Sequence, residues 1–357
     1  MSRLKNNRLL KAIWREPLDA TPIWIMRQAG RYLPEYRAIR ARAGSFMNLC
    51  KTPELACEVT LQPVRRYTLD AAIIFSDILT IPDAMGLELE IVENKGPVFT
   101  RSISREGDIK RLGTLDLERL AYVYEAIRLV CHEEGGIPLI GFCGSPWTLA
   151  AYMVEGRVEH GFPKIMEMCE KEPNMLHHLL NVLSKSISSH LNAQIQAGVQ
   201  VVMIFDTWGG LLNTKDYEQF SLYYIKQIIM NLKAQYYNNG KGVPIILFTK
   251  GGHGWLKQMA ETGCDVLGLD WEISLRAARE QIGDGVALQG NMHPNYLFQS
   301  PELIRSEVAT ILASYGHGSG HIFNLGHGIT PDVPLEHVQV LVDAVHELSK
   351  PYHDIQK

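Results

Sequence analysis

The sequence predicts an α/β fold, a single-domain (β/α)8 barrel that spans residues 1–357 and carries a small hairpin insertion at its rim. Eight short apolar runs alternate with helix-like segments along the chain. This alternation favours parallel strands joined by right-handed crossovers, and eight strands are the number that closes such a barrel. The composition, 46% hydrophobic and 21% charged residues, is typical of a soluble globular protein. A doubly wound open sheet is the alternative architecture.

The eight predicted strands are rich in valine and isoleucine, and each is too short for a helix, which indicates buried strands. Segment 87–100 breaks the rhythm of strand and helix, and we expect it to form a hairpin on the barrel rim. The predicted strands are residues 22–26, 71–76, 137–142, 199–205, 243–249, 265–269, 286–289 and 321–325.

Three segments between the strands carry strong helix signals. Residues 174–197 place leucine and isoleucine on one stripe, and the pattern stops at Gly198. Residues 301–315 and 331–348 each begin with proline directly after a hydroxyl residue, Ser300 or Thr330, which is the typical start of a helix. We therefore expect helices that cover the outer face of the sheet.

Charge and cysteine content exclude several classes of protein. The formal net charge is −4, so bulk charge favours neither nucleic acid nor an anionic membrane. No run approaches the roughly 18 apolar residues of a membrane span, and the basic N-terminus lacks the apolar core of a secretory signal. Six scattered cysteines without CxxC spacing indicate reduced thiols, no metal framework and a cytoplasmic protein.

Polar residues follow almost every predicted strand, and in a barrel the chemistry gathers at those carboxyl ends. Any strand that leaves a core also turns polar, so ordinary strand exits or helix caps are the competing interpretation. The residues at these positions are Arg27, Asp77, Gly144, Ser145, Asp206, Thr207, Lys250, Asp270, Trp271, Asn291 and His327.

The segment MRQAGRYLPEYR, residues 26–37, concentrates three arginines. Guanidinium groups bind carboxylates or phosphates in a bidentate manner and stay protonated. Arg27 and Arg31 would share one face of a helical turn, whereas Gly30 and Pro34 argue for a loop. The flanking aromatic residues favour a partly enclosed anion site over a solvated basic surface.

Asp77, Tyr152 and His327 are further candidates, each with an ordinary structural alternative. For Tyr152 the alternative is an aromatic residue of the core or the rim. Asp77 follows the run AAIIFS and precedes apolar residues, so it is either a helix cap or a carboxylate in an apolar pocket that stabilises positive charge. His327 lies between glycines and is a candidate for acid–base chemistry or a backbone-bonded turn residue. Lys250, in FTKGGHG, gives a weak signal for a Schiff base or a phosphate site.

Eight sequence motifs follow one another along the chain in a fixed order. They are MRQAGRYLPEYR, AAIIFSDILTIPDAMGL, GSPWTLAAYMVEG, FDTWGG, FTKGG, GLDW, LQGNM and FNLGHGI. In these motifs, and over essentially its whole length, the sequence resembles the uroporphyrinogen decarboxylase family. The resemblance implies a (β/α)8 barrel, a homodimer whose active-site clefts face each other, and a cytoplasmic enzyme. It also implies removal of the four acetate carboxyl groups of uroporphyrinogen III to give coproporphyrinogen III for haem synthesis, with no metal and no organic cofactor.

The resemblance also implies roles for individual residues. Arg27 and Arg31 match the family's carboxylate-binding arginines, and Asp77 matches the aspartate that binds the pyrrole N–H groups. Tyr152, Thr207 and His327 match polar residues of the cleft, and Phe142 and Phe205 match its apolar lining. Catalytic roles are expected for Asp77, Arg27, Tyr152 and His327.

This sequence departs from the family pattern near the rim, at three places. Arg157 follows Gly156 where bacterial relatives commonly have a second glycine, His293 stands in their NMDP motif, and Cys143 occupies a site that is usually small.

Two rival functions remain at this point. A corrinoid-type methyltransferase would share the barrel, but it needs a zinc site near the last strands, and no HxC motif follows Cys264. A non-catalytic tetrapyrrole carrier would keep the arginines without needing Asp77.

Overall fold

A computed structural model describes residues 4–92, 96–133, 136–236 and 241–353 of the chain. Its centre is a curled parallel sheet of seven strands, in the order β1-β4-β5-β6-β7-β8-β9. The strands of this sheet are β1 Ala72–Ile73, β4 Leu139–Gly144, β5 Val201–Asp206, β6 Ile245–Thr249, β7 Val266–Gly268, β8 Ala287–Gln289 and β9 His321–Ile322. The predicted α/β barrel fold is confirmed.

The predicted strand 22–26 occupies the eighth position of the barrel, but it forms only one β-bridge with the neighbouring strands that the structure describes. Ile23 bridges to Phe323 in parallel, and its carbonyl accepts the N–H of Asp70, so it lies between β9 and β1. The N–H of Trp24 still donates to the carbonyl of Phe323, but beyond it the N–H groups of Ile25 and Met26 donate to the side chains of Gln28 and Asn324. Side-chain amides thus replace the ladder partners that a longer strand would need.

The predicted rim hairpin is present in its two arms. Strands β2 Leu89–Val92 and β3 Gly96–Phe99 pair antiparallel, with Leu89 opposite Phe99. The turn at residues 93–95, which the prediction included, lies outside the described residues.

Helices cover the outside of the sheet. The α-helices are α1 Arg8–Ile13, α2 Pro34–Ala43, α3 Phe46–Lys51, α4 Pro53–Arg66, α5 Thr80–Pro82, α6 Glu106–Leu112, α7 Ala121–Glu133, α8 Pro146–Glu155, α9 Pro163–Lys171, α10 Pro173–Ala197, α11 Thr214–Asp216, α12 Tyr223–Tyr236, α13 Leu256–Ala260, α14 Leu275–Ile282, α15 Pro301–Tyr315 and α16 Leu335–Ser349. Short 3-10 or π turns occupy Asp83–Leu87, Leu117–Leu120, Gly209–Leu211, Tyr217–Leu222, Gly252–Trp255, Pro294–Phe298 and Lys350–Tyr352.

Two of the three predicted helices form nearly as expected, and one starts late. Helix α10 begins one residue before the predicted 174, and α15 is capped by Ser300, whose Oγ accepts the N–H of Leu303. The helix predicted from 331 begins at Leu335, because Pro334 disfavours helical geometry in the residue before it.

Two apolar layers enclose the sheet. Inside the barrel, residues such as Trp24, Met203 and Phe248 pack together, while the larger layer lies between the strands and the helices. Within the described ranges, no helix combines the length and apolarity that crossing a membrane requires.

Candidate active site

A cavity of about 350 Å³ opens at the carboxyl ends of the barrel strands. Such openings carry the active sites of (β/α)8 enzymes. Seven of the eight predicted site residues line it: Arg27, Arg31, Asp77, Phe142, Phe205, Thr207 and His327. The structure thus brings together side chains that are separated by up to 300 positions in the chain.

The arginine segment forms a loop followed by helix α2, as Gly30 and Pro34 indicated. Arg27 and Arg31 line the cavity, and neither makes an ion pair with any residue that the structure describes. Arg37 instead braces the loop, since its guanidinium donates to the carbonyls of Arg31 and Tyr32. Two guanidinium groups therefore remain available for an anionic ligand.

Asp77 follows the short strand β1 and faces the same cavity. Its Oδ1 accepts the N–H of Leu79 at 2.8 Å, a cap of the turn that leads into α5. Burial raises the pKa of Asp77, and the Leu79 N–H and the Arg27 charge oppose that shift without cancelling it. Both structural possibilities thus hold at once: Asp77 is a cap and also a carboxylate in an apolar pocket.

His327 also lines the cavity, from the glycine-rich loop after β9. Burial, together with the positive charges of Arg27 and Lys250, lowers the pKa of His327 to about 4. The imidazole is therefore neutral near pH 7, and it can donate one hydrogen bond and accept another.

Three phenylalanines form the apolar wall of the cavity. The rings of Phe142 and Phe205 meet edge to face with centroids 5.6 Å apart, and Phe205 lies 6.2 Å from Phe248. Phe248 was missed by sequence reasoning, although its register opposite Phe205 in the neighbouring strand gives both rings the same direction. Further lining residues that were not predicted include Phe46, Phe75, Ser76, Ile78 and Thr330.

Tyr152 is the predicted site residue that does not line the cavity. It lies in α8, half-buried, with its ring against Phe162 and Trp208 at centroid distances of 5.7 and 6.1 Å. Burial raises its pKa, and the charges of Asp77 and Arg27 also act on it, so the phenol lies beside the cavity. A residue seven positions into a helix stands about 10 Å from the helix start, which places Tyr152 back from the strand ends.

A buried hydroxyl network holds the start of α8 against the sheet. Asp206, fully buried at the end of β5, accepts hydrogen bonds from Ser145 at 2.5 Å, Ser221 at 2.8 Å and Thr148 at 3.2 Å. Ser145 also caps α8, since its Oγ accepts the N–H of Thr148. The network fixes the neighbouring Thr207, which lines the cavity.

One set of side chains in the described residues brings three potential metal ligands together, and it lies outside the cavity lining. His253, Asp270 and Glu272 place ligand atoms within 4.8 Å of one another. Asp270 is already committed, because its carboxylate accepts the N–H groups of Gly251 at 2.6 Å and Glu272 at 3.1 Å. This group joins two exposed side chains to the buried carboxylate of Asp270, and it is not part of the arginine and aspartate site.

Comparisons with known proteins agree with this geometry. The family model "Uroporphyrinogen decarboxylase (URO-D)" matches residues 4–348. A uroporphyrinogen decarboxylase of Shigella flexneri is 59% identical over 355 residues, which cover 99% of this chain and 100% of the relative. One from Escherichia coli is 58% identical with the same coverage.

Solved structures support the fold alone. A methyltransferase from Methanosarcina mazei superimposes with a TM-score of 0.79 at 23% identity, over 96% of this chain and 98% of that one. A B12-independent methionine synthase from Shewanella gives 0.54 at 9% identity, over 93% and 96%. The full-length sequence match, and not the shared barrel, therefore decides the family: this chain belongs to the uroporphyrinogen decarboxylase family.

Proposed function

We propose that this protein decarboxylates the four acetate side chains of uroporphyrinogen III to methyl groups, and so supplies coproporphyrinogen III to haem synthesis. The observation that carries the proposal is one cavity that holds two arginines without ion pairs to described residues and a partly satisfied aspartate beside an aromatic wall. The substrate has the matching chemistry: carboxylate arms, four pyrrole N–H donors and a large apolar ring.

The reaction needs a place for the electrons of the broken bond. A proton adds to the ring carbon next to the acetate-bearing carbon and makes the pyrrole cationic. The bond between the acetate methylene and its carboxylate then breaks, carbon dioxide leaves, and the electron pair neutralises the ring. A second proton converts the exocyclic methylene to methyl, and the first proton leaves the ring. The substrate is its own electron sink, so we propose that no metal or organic cofactor takes part.

Each cavity residue has a role in this sequence. Arg27 and Arg31 bind carboxylate arms, because their planar guanidinium groups pair with them in a bidentate manner. Asp77 accepts the pyrrole N–H groups and, as an anion in a cavity with little water, stabilises the cationic ring. Thr207 binds the edge of the substrate, and the apolar wall of Phe142 and Phe205 packs against the macrocycle. For Tyr152, which lies beside the cavity lining, we propose a contact with the same edge of the substrate.

We propose that the proton is delivered from the side of the cavity that Arg27 and Arg31 line, and not from His327. His327 is neutral at physiological pH, since its pKa is about 4, so it meets the substrate as a hydrogen-bonding imidazole. A guanidinium alone is a very weak acid. We therefore propose that Arg27 orients a water molecule or a substrate carboxyl group, and that this group gives up the proton.

The proposal includes three features of the molecule as a whole. The chain acts as one barrel domain over residues 1–357, as a homodimer and in the cytoplasm. Sedimentation equilibrium of the purified protein tests the dimer, and a monomer at micromolar concentration would contradict it.

Anaerobic turnover of uroporphyrinogen III in the presence of a metal chelator tests the function. We expect coproporphyrinogen III and four molecules of carbon dioxide per substrate, with the chelator having no effect. Tight binding without turnover would identify a carrier instead. Stoichiometric bound zinc, with methyl transfer lost on chelation, would identify a methyltransferase.

A further inference from the structure

The loop that carries Arg27 holds this residue in an unusual backbone conformation. Arg27 has φ of 64°, in the left-handed region that favours glycine. Such a conformation is unfavourable for a non-glycine residue and persists where surrounding contacts enforce it. The contacts that enforce this conformation therefore help to place the Arg27 side chain in the cavity lining.

One contact comes from the buried side chain of Gln28. Its Oε1 accepts the N–H of Ile25 at 3.0 Å, and its Nε2 donates to the carbonyl of Ala71 at 3.1 Å. The Gln28 N–H also donates to the Ile25 carbonyl, at 2.9 Å. This amide therefore closes the turn and ties it to the segment that leads into β1 and Asp77.

A second contact comes from Asn324, on the opposite flank. Its Oδ1 accepts the N–H groups of Met26 at 2.9 Å and Leu325 at 2.8 Å, and the side chain is 1% exposed. The Met26 carbonyl accepts the N–H of Ile329 at 2.9 Å. The Arg27 loop is thus tied on this side to the loop that carries His327.

Gly328 supplies the space for the arginine side chain. A Cβ atom at Gly328 would lie 2.3 Å from Cδ and 2.8 Å from Cγ of Arg27, far inside any normal contact. The φ of Gly328 is not in the left-handed region, so its backbone does not require glycine. What requires glycine at this position is the path of the Arg27 side chain.

We propose that Gln28, Asn324 and Gly328 are positioning residues that fix the direction of Arg27 within the cavity. The inference rests on the proposed function only in giving Arg27 a substrate carboxylate to bind. The buried amides of Gln28 and Asn324 hold the backbone on either side of Arg27. Gly328 has no side chain and so leaves room for the side chain of Arg27.

Thermal unfolding of four proteins tests the contact without any need for activity. They are the wild type, Gly328→Ala, Arg27→Ala and the double variant. We expect Gly328→Ala to lower Tm by several degrees in the wild type, the ordinary cost of an overpacked site. In the Arg27→Ala background the same change should leave Tm almost unaltered. An equal loss of Tm in both backgrounds would overturn the role of Gly328.

Kinetics test the amides, with Gln194 as the matched control. Like Gln28, Gln194 is fully buried and bonds one backbone N–H and one backbone carbonyl, both of Phe142. We expect Gln28→Met and Asn324→Ala each to lower kcat/KM by about tenfold to a hundredfold. In an Arg27→Lys background each should add less than about threefold, because residues that act through one another are not additive. For the control, the fold loss of kcat/KM in the double variant Gln194→Met with Arg27→Lys should equal the product of the two single losses.

The two arms separate failure of this inference from failure of the proposed function. A folded wild type with no turnover of uroporphyrinogen would refute the function, while the Tm comparison would still decide whether Gly328 accommodates Arg27. With an active enzyme, full multiplication of the Gln28→Met and Arg27→Lys effects would overturn the positioning role.

Discussion

Two aspartates at opposite ends of the same strand show how differently one residue type is used. Asp70 lies just before β1, at the amino end of the barrel, and Asp77 lies just after it, at the carboxyl end. Asp70 accepts hydrogen bonds from Asn6 at 2.7 Å, Ile23 N–H at 2.8 Å and Arg8 at 3.2 Å, and it pairs with His346 at 2.7 Å. The carboxylate of Asp77 has the N–H of Leu79 as its one hydrogen-bond donor among the described residues.

Because of this difference in hydrogen bonding, the pKa values of the two carboxyl groups shift in opposite directions. Burial acts to raise the pKa of Asp70, but the hydrogen bond and charge of His346, with the other donors, outweigh it and hold the pKa below its usual range. For Asp77, burial prevails and the pKa is raised. The protein satisfies the structural carboxylate and leaves the other one for a ligand, which is how functional sites commonly differ from the surrounding fold.

The largest effect is expected from Asp77→Asn. The amide keeps the shape and one acceptor oxygen but loses the charge that stabilises the cationic ring. We expect kcat/KM to fall by about 10²–10³, the usual cost of removing one transition-state contact of this kind. The measurement is anaerobic turnover of uroporphyrinogen. A loss below fivefold in a folded variant would show that Asp77 does not meet the developing charge.

Asp70→Asn should have the opposite profile, a large loss of stability and little loss of activity. Removing one partner of a buried ion pair costs about 3 kcal/mol or more in the free energy of unfolding. Urea unfolding measures this loss, and kcat of the fraction that stays folded should be close to that of the wild type. Intact stability with a strongly reduced kcat would break the contrast between the two residues.

The two carboxyl groups should also respond to pH with opposite sign. The pKa of Asp70 is lowered in the folded state, so its stabilisation is present above its unfolded pKa and is lost as pH falls through the folded pKa. The pKa of Asp77 is raised, so its contribution is present below its unfolded pKa and is lost as pH rises through the folded pKa. At pH 7, Asp77→Asn should therefore equal or exceed the wild type in urea stability, whereas Asp70→Asn should not.

This contrast also marks what the sequence could predict. Asp77 and Arg27 directly follow apolar runs, so a strand-end argument finds them. Asp70 could not be recognised as structural, because Arg8 and His346 are 62 and 276 positions away in the chain. A strand residue such as Phe248 looks like any core phenylalanine until its register beside Phe205 is known.

For Tyr152, the sequence could predict a role in the site but not the depth at which the residue lies. The family motif identifies the residue, but the depth of a helix position depends on how the helix start is fixed. Here Ser145 and Asp206 hold that start at the end of β5, a contact between side chains 61 positions apart. Local sequence patterns carry no information about such a distance, so the placement of Tyr152 beside rather than in the cavity is a result of tertiary structure.

The wall formed by Phe142, Phe205 and Phe248 contributes to the difference between Asp77 and Asp70, because it helps to keep water from Asp77. Phe205→Leu retains an apolar side chain but removes the edge-to-face contacts with Phe142 and Phe248. We expect a loss of about 1 kcal/mol in binding, seen as a severalfold rise in KM with kcat changed less than threefold. A large fall in kcat at unchanged KM would instead assign this ring to the chemical step.

The smallest effect is expected from titrating His327, the basic counterpart of Asp77 in the same cavity. Both groups are shifted toward their neutral forms by burial, but the charges of Arg27 and Lys250 act on His327 in the same direction as burial, whereas Arg27 opposes the shift of Asp77. The ¹H–¹³C resonance of the His327 ring, assigned with His327→Gln, should therefore stay constant from pH 8 to about 5.5, where an exposed histidine passes through its midpoint. Over that range the ratio of wild-type to His327→Gln activity should also be flat. A midpoint near 6.5 would mean that neither burial nor the charges of Arg27 and Lys250 lower the pKa of this ring. The proposal for proton delivery would then pass to the imidazole.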